Sequence, residues 1–89
     1  MVKIFQTVGI KELGCYDWDL VISLVIRNFM GREDFLVFKR TEGDLTIVED
    51  GNGRLLMVIE KVLFDEVVWA VYEEQDDMKY YTFMLPSEY

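Results

Sequence analysis

An 89-residue chain has room for one domain, residues 1–89, and for a core that needs no metal or disulfide to hold it. Seventeen Asp and Glu residues against nine Lys and Arg leave a net charge of −8. That balance excludes direct recognition of nucleic acid or of an anionic membrane surface, both of which rest on clustered cations. Hydrophobic residues supply 52% of the chain, above the roughly 45–50% usual for soluble domains, so the apolar stock exceeds the needs of one small core.

Residues 2–8 alternate Val2, Ile4 and Gln6 against Lys3, Phe5 and Thr7, a period that predicts a strand over a core. Gly9 and Gly14 then bracket an expected loop. Residues 17–31 read two ways. At helical spacing Trp18, Val21, Ile22, Val25 and Phe29 share one face, Asp17 is placed as an N-cap and Gly31 stands just past the C-terminus. Leu20, Ile22, Leu24 and Ile26 also alternate as a strand, and β-branching lowers helix propensity. The end signals favour a helix over residues 18–30.

Five runs follow, at 35–40, 45–49, 54–64, 67–72 and 79–85, all rich in β-branched and aromatic residues. Glu42-Gly43-Asp44, Asp50-Gly51-Asn52-Gly53 and Gln75-Asp76-Asp77 separate them with residues that accept positive φ, as tight hairpins require. The expected fold is therefore α+β, an antiparallel meander of five to six strands packed by one helix. The alternative is a small all-β barrel or roll. Along 54–64, Leu55, Met57, Ile59 and Leu63 oppose Leu56, Val58, Val62 and Phe64; along 67–72, Val67, Trp69 and Val71 oppose Val68, Ala70 and Tyr72. Neither set is polar, so the sheet calls for cover on both faces.

Chemistry is sparse along the chain. Without histidine there is no Ser-His or Cys-His nucleophile pair, and the commonest transition-metal ligand at neutral pH is missing. Cys15 is the only cysteine and sits among carboxylates, which disfavour a thiolate. The Asp50–Gly53 glycines lack the following Lys-Ser/Thr of a phosphate loop, and Leu55 stands where a calcium loop would need its glycine. No cofactor, metal site or catalytic set is expected.

What remains is charge. Glu73, Glu74, Asp76 and Asp77 place four carboxylates in five residues, with Asp65 and Glu66 nearby in the sequence, and these six form the expected partner-binding site. A basic protein is the partner such a surface steers inward. The sequence therefore reads as a cytoplasmic, non-catalytic protein-binding module, in its sharpest form an inhibitor whose carboxylates stand where phosphates would in a nucleic-acid-processing protein. The alternative is an assembly subunit that forms a homodimer through an apolar sheet face.

Overall fold

The computed structural model describes residues 2–89. Strand β1 (Val2–Gln6) leads into helix α1 (Val8–Leu13), where a loop was expected. The Thr7 hydroxyl accepts the Ile10 N–H and opens the helix, and Gly14 at φ 77° closes it. Six residues are too few to hold a helix by propensity. The other support is a carboxylate from the far end of the chain: Glu88 accepts from the Thr7 hydroxyl at 2.6 Å and from the Gly9 N–H at 3.1 Å.

Helix α2 (Trp18–Leu24) starts as the sequence predicts, with the Asp17 carboxylate accepting the Leu20 N–H. It continues as a π-helical turn, Val25–Phe29. Val21, Val25 and Phe29 are all buried at four-residue spacing. An α-helix gains about 40° over each such step; the wider π turn opposes that drift and keeps Phe29 on the core side. Gly31 at φ 78° then turns the chain into β2 (Phe35–Arg40).

β3 (Thr46–Asp50) and β4 (Leu55–Ile59) complete a meander with β2, through the turns read from the sequence. β5 (Val68–Gln75) and β6 (Met78–Met84) form the last hairpin, and a short 3-10 turn (Pro86–Glu88) precedes Tyr89. The sheet is open, six-stranded and not a barrel, in the order β1-β6-β5-β2-β3-β4. All neighbours are antiparallel except β1, which runs parallel to β6.

Two departures from a plain meander matter. The apolar run at 54–64 does not stay a strand: β4 ends at Ile59, and residues 60–67 cross β3 and β2 so that β5 pairs on the far side of β2. Leu63 and Phe64 are both buried beneath the sheet on the way. Thr46, the one buried polar side chain among the described residues, fastens this crossing by donating to the Lys61 carbonyl at 2.7 Å and accepting the Leu63 N–H at 3.1 Å. A bulge at Leu56 is the second departure. It turns Leu56, Met57 and Ile59 towards the core and leaves Leu55 and Val58 on the opposite side, so the strict alternation expected along this run does not hold.

One face of the sheet is thus filled by Leu36, Phe38, Val48, Val68, Ala70, Tyr81 and Phe83, packed under Ile10, Val21, Val25, Phe29, Leu63 and Phe64. Trp18 meets Phe64 and Phe83 edge-to-face at 5.6 and 5.3 Å, the arrangement the ring quadrupoles favour. The Tyr81 hydroxyl reaches the carbonyls of Phe29 and Glu33 at 3.2 and 2.6 Å. It thereby ties the strand to the loop that follows the π turn, adding to the Arg32 and Glu33 N–H groups that already bond the Phe29 carbonyl.

Candidate interaction surfaces

β5 pairs with β2 from Val68 to Val71 and then runs on alone with β6 to Gln75. The hairpin therefore projects past β2 by four residues. Asp76 and Asp77 form its two-residue turn, both left-handed at φ 50° and 68°. Glu73, Glu74, Asp76 and Asp77 are all exposed on this projection. The Tyr80 hydroxyl donates to Glu73 and the Tyr72 hydroxyl to Glu74, each at 2.8 Å. These bonds aim the two carboxylates and push both phenols above their ordinary range, through the bonded carboxylate at Tyr80 and chiefly through partial burial at Tyr72.

Two further carboxylates join this end of the molecule. The Asp34 carbonyl accepts the Tyr72 N–H at 2.9 Å, and the Glu33 carbonyl accepts from Tyr81, which anchors residues 33–34 beside the hairpin base. Nothing local marks Glu33 and Asp34 as neighbours of Glu73 and Glu74; only the β2–β5 pairing brings them together.

Asp65 and Glu66 belong elsewhere. They precede β5 at its other end, separated from the hairpin turn by the length of the strand, roughly 24 Å for its eight residues. Asp65 is already engaged by Arg40 at 3.1 Å and by the Tyr16 hydroxyl at 2.8 Å. The six expected site residues therefore divide into four at the tip, none in a salt bridge, and a distant corner where Asp65 is paired. None of the ion pairs among the described residues, Lys39–Glu49, Arg40–Asp44, Arg40–Asp65 and Lys61–Asp17, involves a tip carboxylate, and Lys79, opposite Glu74 in the hairpin, forms no salt bridge with it.

The second surface is the sheet face turned away from the helices. Phe35, Val37, Ile47, Trp69, Val71 and Met84 form its half-buried centre, and Phe5, Leu55 and Val58 stand exposed at its two flanks. Tyr89 reaches over it, its ring edge-on to Phe35 at 5.9 Å and Trp69 at 5.5 Å, while 75% exposed itself. An open trough of about 430 Å³ runs beside it between Val37, Val67, Trp69 and Pro86, with the Lys39–Glu49 pair on its wall.

Cys15 is half-buried beside a recess of about 200 Å³, and burial holds its thiol above the ordinary range. No three Asp, Glu or Cys side chains among the described residues gather as metal ligands. No helix among them is long and apolar enough to cross a membrane. No family model, curated protein or solved structure matches the chain.

Proposed function

We propose that this chain is a small, acidic, non-catalytic protein-binding module of the cytoplasm. Its β5–β6 tip docks on a basic protein surface, and a nucleic-acid-processing protein, whose site is built for phosphates, is the partner its charge fits best. In that setting the chain acts as an inhibitor, with Glu73, Glu74, Asp76 and Asp77 in place of phosphate groups.

The observation that carries this reading is the turn itself. A two-residue hairpin turn with both φ values positive favours Asn-Gly or Asp-Gly, so Asp76 suits its place and Asp77 stands where glycine is preferred. Here the chain holds Asp-Asp at φ 50° and 68°, beyond two more carboxylates and without a salt-bridge partner. Conformation at Asp77 and mutual repulsion among the four carboxylates both count against this arrangement in the isolated protein. A basic partner relieves the repulsion.

The immobilised chain is expected to retain basic nucleic-acid-processing proteins at low salt and to release them at high salt, because exposed charges act through a screened field. A variant with Glu73→Gln, Glu74→Gln, Asp76→Asn and Asp77→Asn keeps the fold and loses that capture. Unchanged capture by the folded variant would reject the tip as the contact.

A further inference from the structure

Net charge and surface charge part company on the open sheet face. Of the seventeen acidic residues, Glu49 and Glu73 are the ones at strand positions facing that way, and Lys3 and Lys39 balance them. Lys39 and Glu49 are moreover paired with each other at 2.7 Å. A protein of charge −8 thus presents one broad, largely apolar surface whose strand side chains carry balanced charge, while its remaining carboxylates lie on turns, strand ends and helices or, for Glu74, on the other face of the sheet. A basic partner finds no complementary charge there. Another copy of the same acidic chain finds the one approach that does not set its carboxylates against their like.

We infer that the open face is covered by a second copy of this chain, the two sheets stacked face to face. Six strands about 4.8 Å apart and about five residues long give a planar footprint on the order of 500 Å². Side-chain relief raises the accessible area towards the roughly 800 Å² per partner of an ordinary stable interface. A two-fold axis across the strands, in the plane between the sheets, lays each strand antiparallel over its own counterpart and sends the two acidic tips to opposite ends of the pair. Phe5, 42% exposed at one flank, and Leu55 and Val58, 55% and 49% exposed at the other, are covered at the two edges of this contact. The charge-poor, aromatic centre with Trp69 and Phe35 matches the composition of interface cores. Both acidic tips stay free at the ends of the pair, so this assembly is independent of the partner reading above.

Sedimentation velocity from micromolar to millimolar concentration tests it. The expected species has twice the 10.6-kDa chain mass, and added salt holds or tightens it, because screening removes the repulsion between two −8 chains while the apolar contact persists. That is opposite in sign to the salt response expected of the acidic tip. Val58→Lys and Phe5→Lys, at separate flanks, should each weaken association by about tenfold or more, a buried unpaired charge being the cause. Ile26→Lys, on the exposed side of the helical layer, should leave it unchanged. Should one flank variant fail to fold, the other decides. A monomer at millimolar concentration in high salt overturns the proposal and leaves the face to a different protein or to solvent. So does a dimer that Ile26→Lys breaks and both flank variants leave intact.

Discussion

Gly9 and Glu88 meet at the seam between the two ends of the chain: the Glu88 carboxylate accepts the Gly9 N–H at 3.1 Å, and a Cβ on Gly9 would stand 2.6 Å from Glu88 Oε1. The missing side chain is what lets the carboxylate reach the start of α1, where it also accepts from Thr7 and from the Leu85 N–H.

Gly9→Ala and Glu88→Gln should therefore both destabilise the protein, and the double variant should lose less than the sum, since either change alone opens the same contact. Urea unfolding of the four proteins measures this. The hydrogen bonds from Thr7, Leu85 and Gly9 hold the Glu88 carboxyl below the ordinary glutamate range. Its contribution is thus present above pH about 4.3, the unfolded value, and is lost as pH falls through the lower folded value. Glu88→Gln should flatten that part of the acid limb.

Thr46→Val keeps the shape of the side chain but strips the Lys61 carbonyl and the buried Leu63 N–H of their shared partner. The expected loss is about 1–3 kcal/mol in urea unfolding, the cost of stranding buried polar groups. Thr46→Ser, which keeps the hydroxyl, should recover most of it. Equal losses in both variants would assign the effect to the methyl group instead.

Tyr81→Phe removes the hydroxyl that reaches the carbonyls of Phe29 and Glu33 and should cost about 1–2 kcal/mol. The same residue sets a limit at high pH. Burial is the main cause that holds its phenol far above the ordinary value, so the folded state keeps a proton that the unfolded chain gives up. Stability is then full below pH about 10 and declines as pH rises beyond it. Ultraviolet titration should show the Tyr81 phenolate appearing together with unfolding.

Replacing Asp76-Asp77 with Asn-Gly should stabilise the β5–β6 hairpin by about 1 kcal/mol, since glycine takes the left-handed position without strain. It should also weaken salt-sensitive partner binding. Gain in one and loss in the other would mark the acidic turn as kept for recognition at some cost to stability.

Local signals were legible where a residue's role depends on its neighbours. Asp17 and Gly31 mark the ends of the long helix, and each glycine- or aspartate-rich separator became a turn. Long-range partners left no such trace. The cap of α1 draws on Glu88, 81 residues from Thr7, so its six residues read as loop. Leu63 and Phe64 look like the end of a strand because apolar period alone does not separate a strand from a buried crossing. The same applies to the site: the density of acid at 73–77 is visible in the sequence, but the addition of Glu33 and Asp34, and the distance of Asp65 and Glu66, depend on which strand β5 chooses to pair with.

The parallel pairing of β1 with β6 also orders events during synthesis. Val2 pairs opposite Lys79 and Gln6 opposite Phe83, so the first strand of this sheet to be made waits for the last. At about 5–20 residues per second, β1 and α1 spend several seconds without their partners. Through that interval the meander of β2, β3 and β4, extended by β5 once residues 68–75 emerge, is the part of the sheet that can pair. A chain released before residue 78 would keep that meander and have nowhere to put its first strand.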